Sequence, residues 1–142
     1  MPDSKKKCMM IEMPLIISGY DIDVMGIVSN IVYIRWFENL RFKFLDKYYP
    51  FEEIISHNQS PILATTEANY KFPLTIYDKP IGQTWVTGMS RAKWEMEFKI
   101  TTKDKVHCTG KQTGYFFDLN KNKPIAIPPE LINTFKYENE AD

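Results

Sequence analysis

Two carboxylates, Asp21 and Asp23, stand just ahead of Gly26 and of a helical stretch that begins near Asn30. An ionised Asp needs no unusual pKa to be charged at neutral pH, so it can attack a carbonyl directly or take a proton from water. The unpaired N–H groups and positive dipole end of a helix start could stabilise the oxyanion that either route creates. An isolated Asp-x-Asp has a plainer reading, a turn in which each Asp accepts nearby backbone N–H groups. Gly26 suits a tight turn that lets a ligand approach the backbone closely.

The remaining reactive side chains are scattered. Glu38 and Arg41 lie three apart on the helix and read as an exposed pair. Arg91 and Lys93 enter a strand together, where two cations are usually solvated. His57 and His107 are isolated and suit surface or packing roles. Cys108 has no His near it in sequence and reads as a buried small residue. Cys8 and Cys108 are too few for a disulfide framework and too far apart for a metal motif, which points to free thiols in a reducing cytosol.

The elements that must position these groups follow from periodicity. From Asn30 to about Lys47, Tyr33, Phe37, Leu40 and Phe44 recur at helical spacing, with Ile34, Trp36 and Leu45 widening the apolar face. Ser29 or Asn30 can cap this helix and Pro50 stops it. Residues 10–19 read as a strand, and residues 51–60 as a loop or short helical turn. Beyond Pro61 the period shifts to two, most clearly where Trp94, Met96, Phe98 and Ile100 alternate with Lys93, Glu95, Glu97 and Lys99. Weaker strand patterns cover 62–72, 81–90 and 105–117, with a hairpin turn at Lys103-Asp104. Such a helix needs wrapping by a curved antiparallel sheet, and the open edges and outer face of that sheet, with Trp85, predict a homodimer or homotetramer.

The 142 residues suit one domain, expected over 10–136 between flexible segments at 1–9 and 137–142. Eighteen basic and eighteen acidic residues cancel, so the overall field gives no reason to expect nucleic acid or membrane as a partner. Glu12 and Pro14 interrupt the apolar stretch after Lys5-Lys6-Lys7, which argues against a secretory signal. The expected location is the cytoplasm.

The segment Tyr20-Asp-Ile-Asp-Val-Met-Gly-Ile-Val-Ser-Asn-Ile-Val-Tyr-Ile-Arg-Trp-Phe-Glu-Asn-Leu-Arg41 resembles the 4-hydroxybenzoyl-CoA thioesterase family of hotdog proteins. That family's pattern runs Asp-x-Asp-x-x-Gly-(His or Ile)-Val, then Tyr-x-Arg-(Trp or Tyr)-(Phe or Leu)-Glu-x-x-Arg. Tyr70-Lys-Phe-Pro-Leu-Thr-Ile-Tyr-Asp78 and the ending Lys123-Pro-Ile-Ala-Ile-Pro-Pro-Glu-Leu131 are similar to two further family segments. The resemblance implies an α+β hotdog fold, one long central helix wrapped by a curved antiparallel sheet of about five strands. It also implies hydrolysis of an acyl-CoA or acyl-carrier-protein thioester, with neither cofactor nor metal.

Carried over by position, Asp23 is the catalytic carboxylate, the backbone N–H near Asn30 the oxyanion donor, and Gly26 the turn that admits the acyl group. Tyr33, Arg91 and Lys93 are the substrate-binding candidates, the two cations matching the region where the family often holds coenzyme A phosphates. Glu38 is a reserve, since some hotdog thioesterases place a carboxylate on the helix. Two departures, Ser29-Asn30 for Asn-Asn and Ile27 for His, leave the substrate class open. A dehydratase reading is disfavoured, because no His precedes residue 57 to pair with an acid. A hotdog protein that binds thioesters without turnover is the other alternative.

Overall fold

The computed structural model describes residues 7–140. Along the chain run β1 (Cys8–Pro14), a 3-10 turn (Gly19–Asp21), α1 (Asn30–Tyr48), α2 (Phe51–His57), β2 (Gln59–Tyr70) and β3 (Ile81–Met89). There follow β4 (Trp94–Thr102), β5 (Lys105–Asp118), β6 (Lys123–Ile125) and α3 (Pro129–Glu140). All six strands join one sheet in the order β1-β3-β4-β5-β2, antiparallel throughout, with the short β6 added to β5.

Alternation decides which face of the sheet turns inward. On β4 the apolar set Trp94, Met96, Phe98 and Ile100 is buried, while Glu95, Glu97 and Lys99 face outward. Against this inner face lies α1, which buries Val32, Tyr33, Trp36, Phe37, Leu40 and Phe44. Phe37 stacks on Phe98 with ring centroids 4.7 Å apart. The sheet can come this close because β5 carries glycines opposite the bulkiest rings. A Cβ at Gly110 would meet the Phe37 ring, and one at Gly114 would meet the Trp94 ring and the Ile62 carbonyl.

Several expectations change in detail. The curled sheet wraps α1 as expected, but Ile31 and Phe42 are left 65% and 54% exposed. A helix turns about 100° per residue, so its large side chains cannot all point into the concave face. The first strand ends at Pro14 rather than near 19. Leu15 N–H still reaches Pro80 O at 2.9 Å, and the chain then leaves the sheet for the 3-10 turn.

The Pro-Glu-Leu ending is not a terminal turn but the start of α3, a third helix beyond the single one expected. Leu131 is buried, Ile132 and Phe135 pack on the core, and Glu138 accepts the Met9 N–H at 2.7 Å. Of the two end segments expected to be flexible, residues 1–6 and 141–142 lie outside the described residues. Among the described residues no helix is long and apolar enough to cross a membrane.

Candidate active site

The loop between the 3-10 turn and α1 carries both aspartates, and it separates them by burial. Asp21 is buried. Its carboxylate accepts the Ser18 N–H at 2.9 Å and faces the Arg35 guanidinium at 3.5 Å. Asp23 is exposed, and its Oδ1 accepts the N–H of Met25 at 2.8 Å and that of Ile27 at 3.4 Å. Among the described residues Oδ2 of Asp23 takes no hydrogen bond, so one oxygen is pinned while the other faces outward.

Backbone bonds close this loop into a small hairpin. Asp23 N–H donates to Ile27 O at 2.8 Å, Gly26 N–H donates to Asp23 O at 3.0 Å, and Ile22 bridges Val28. Gly26 has φ +80° with nothing within 4 Å of where a Cβ would stand, so the backbone angle, not crowding, requires glycine.

Two more bonds fix where α1 begins. Ser29 N–H donates to Asp21 O at 2.9 Å, and Val28 N–H donates to Leu74 O at 2.8 Å. Ser29 occupies the N-cap, yet its side chain makes no capping bond, and Asn30 is already helical. The expected side-chain cap is therefore absent, because neither residue turns its acceptor onto the first turn. Val32 N–H folds back to Ser29 O at 2.9 Å. The N–H groups of Asn30 and Ile31 take no partner among the described residues, and the helix presents two open donors seven residues after Asp23.

The other candidates fall elsewhere. Tyr33 is 2% exposed, edge-on to Trp36 and Tyr70, and burial pushes its phenol up to about 12. It lies under the helix start as part of the wall. Arg91 and Lys93 sit exposed in the turn joining Met89 to Trp94. The Asp23 loop is tied through Val28 to Leu74, in the segment between the end of β2 and the start of β3, so within one chain these cations occupy the opposite end of the sheet.

The expected Glu38–Arg41 pair does not form. Arg41 turns inward and donates to Gln112 Oε1 at 2.6 Å, leaving Glu38 exposed. His107 is buried, with Nδ1 3.0 Å from Phe72 O and Nε2 2.7 Å from Thr102 Oγ1, and it holds the segment after β2. Burial pushes the Cys108 thiol up to about 12, as an inert core residue should be. Among the described residues no group of His, Cys, Asp and Glu could hold a metal ion. Sequence reasoning missed Arg35 and Leu74 as supports of the loop. Arg35 had a signal in the quoted Tyr-x-Arg spacing, but the Leu74 contribution is a backbone carbonyl with none.

Residues 18–135 match the family described as the thioesterase-like superfamily. The chain belongs to that superfamily. The loop and helix start just described lie inside the matched span.

A chloroplastic acyl-acyl carrier protein thioesterase of Arabidopsis thaliana is 27% identical over 130 residues, covering 87% of this chain and 66% of that protein. The chain therefore spans just under two thirds of that relative. A hypothetical protein of Staphylococcus aureus, solved in complex with CoA, superposes with a TM-score of 0.85 at 10% identity, covering 92% of this chain and 84% of that one. A DHNA-CoA thioesterase of Staphylococcus aureus gives 0.81 at 20% identity, covering 90% and 89%. These likenesses establish the hotdog fold for this member of the superfamily.

Proposed function

We propose that the protein hydrolyses an acyl thioester of coenzyme A or of acyl carrier protein, with Asp23 as the reacting carboxylate. The observation that carries this is the pinned Oδ1 and open Oδ2 of Asp23 ahead of a helix start with two free N–H groups. As a general base, Asp23 takes a proton from water while the water oxygen bonds to the carbonyl carbon. The oxyanion is held by the Asn30 and Ile31 N–H groups, the C–S bond breaks, and the proton passes to the departing sulfur. As a nucleophile, the Asp23 carboxylate bonds to the carbonyl carbon as the C–S bond breaks and the thiolate leaves. Water then cleaves the mixed anhydride to the free acid and Asp23, its released proton going to the thiolate. Both routes use the same atoms of the chain. Gly26 keeps the loop turned so that the acyl group can meet the backbone, and Tyr33 walls the site.

Arg91 and Lys93 reach such a site only from a second copy. β2 is an edge strand of twelve residues, largely exposed from Ala64 to Glu67. Antiparallel pairing of two β2 strands about a two-fold axis sets the Tyr70 end of one copy beside the Gln59 end of the other. The β3–β4 turn lies at that Gln59 end, so its cations come within range of a phosphate-bearing thioester bound at the partner's loop. We take the working unit to be a homodimer, acting in a cytosol that keeps both buried cysteines reduced.

The test follows free-thiol release from short, long and aromatic acyl-CoA substrates and from acyl carrier protein thioesters. Wild type is expected to turn over at least one of them, and Asp23→Asn to lose roughly a hundredfold to ten-thousandfold in rate with its fold intact. Equal turnover by the variant, or none by wild type on any substrate, overturns the proposal.

A further inference from the structure

The polar group least well accounted for lies far from Asp23. Arg41 is only partly exposed, and burial lowers its pKa. Its guanidinium has five donors, yet its one hydrogen bond goes to a neutral acceptor, Gln112 Oε1, whose own amide is spent on Thr66 Oγ1 at 3.2 Å. No carboxylate lies within ion-pair distance of it among the described residues. Glu38 acts on it only from beyond contact distance, so a half-buried cation with no paired carboxylate gains from an anion that reaches it directly.

Space for that something adjoins it. A groove of about 400 Å³ runs between α1, α2 and the start of β2, walled by Arg41, Phe42, Leu45, Phe51, Ile54 and Pro61. Its polar members besides Arg41 are Asp46, which is exposed to solvent, and Ser60, whose hydroxyl donates to Pro61 O at 3.1 Å. Arg41, Leu45 and Pro61 also line a second, interior apolar cavity bounded by Phe44, Trp94 and Phe116. Phe42 and Phe51 remain 54% and 66% exposed, so the groove is apolar surface left open to water.

We infer that this groove binds an unbranched alkyl carboxylate, with the Arg41 guanidinium pairing to the carboxylate and Phe42, Phe51 and Ile54 covering the chain. A planar guanidinium fits a carboxylate in two parallel N–H···O bonds, which an alcohol of the same length cannot reproduce. Arg41 stands eleven residues after Asn30, about 16 Å along the helix, so the groove is separate from the Asp23 loop of the same chain. The inference does not depend on hydrolysis by Asp23.

Titration calorimetry with decanoate and with decanol tests it without any turnover. Wild type is expected to bind decanoate at least about tenfold more tightly than decanol, and Arg41→Gln to lose that preference. Phe51→Glu, at an exposed position that leaves the core untouched, should weaken decanoate to a similar degree. A diazirine-bearing fatty acid should label wild type on α1 beyond Arg41 or on α2. Equal affinity for acid and alcohol, no binding of either, a preference kept by Arg41→Gln, or labelling confined to residues 20–27 overturns the inference.

Discussion

Asp21 and Asp23 have the same side chain and opposite surroundings, and their substitution should separate structure from chemistry. Asp21→Ala leaves the Ser18 N–H and the Arg35 guanidinium without their acceptor and is expected to cost about 1–3 kcal/mol, read as a lower urea midpoint. Asp23→Asn keeps an acceptor for Met25 N–H, so its stability should stay close to wild type while turnover collapses. Alkaline stability belongs to the residue scale as well. Tyr33 rises from 10.0 to about 12 and Cys108 from 9.0 to about 12, each through burial of the group. Groups that hold their protons more tightly when folded contribute stability in full below their unfolded pKa, and that contribution is lost as pH rises through the folded value. Urea midpoints should therefore fall between about pH 9 and pH 12, and Tyr33→Phe should flatten the upper part of that fall. A slope unchanged by the substitution would assign the fall to other groups.

At the scale of elements, the open N-terminus of α1 can be tested by removing a backbone donor. Proline is favoured at the first helical position because its missing N–H is one that the helix never uses, and Ser29, with ψ 143°, already has the extended conformation that a following proline demands. Asn30→Pro should keep the helical circular dichroism and thermal midpoint close to wild type. If the Asn30 N–H holds the oxyanion, it should cost on the order of a hundredfold to a thousandfold in rate. Full activity with proline in place would move the oxyanion to another donor. The close packing of β5 between β2 and β4 has its own test. Gly114→Ala puts a methyl into the Trp94 ring and the Ile62 carbonyl and should destabilise by about 1–3 kcal/mol, visible as a lower thermal midpoint.

For the whole molecule, the separation of Asp23 from Arg91 and Lys93 makes complementation the decisive measurement. Asp23→Asn and the double variant Arg91→Ala, Lys93→Ala should each be impaired alone. Co-expressed with separate tags and purified as mixed dimers, they should regain turnover, because one of the two sites then combines an intact loop with intact cations. No recovery in mixed dimers would confine Arg91 and Lys93 to a solvated turn.

The amino-acid sequence alone determined the long helix, the strands around it and the carboxylate loop. Each depends on local pattern: Tyr33, Phe37, Leu40 and Phe44 at helical spacing, Trp94 to Ile100 at spacing two, and Asp21, Asp23 and Gly26 in one short stretch. It did not determine α3 as a helix, though Leu131, Ile132 and Phe135 carry the spacing, because proline-rich residues before it read as a turn. Tertiary structure decided the roles of the charged groups. Arg41 chose Gln112 on β5 over its helical neighbour Glu38, Asp21 was buried beside Arg35, and Arg91 and Lys93 were carried to the far end of the sheet. Apolar periodicity is written along one element, whereas the partner of a charge is set by which other elements the sheet brings beside it.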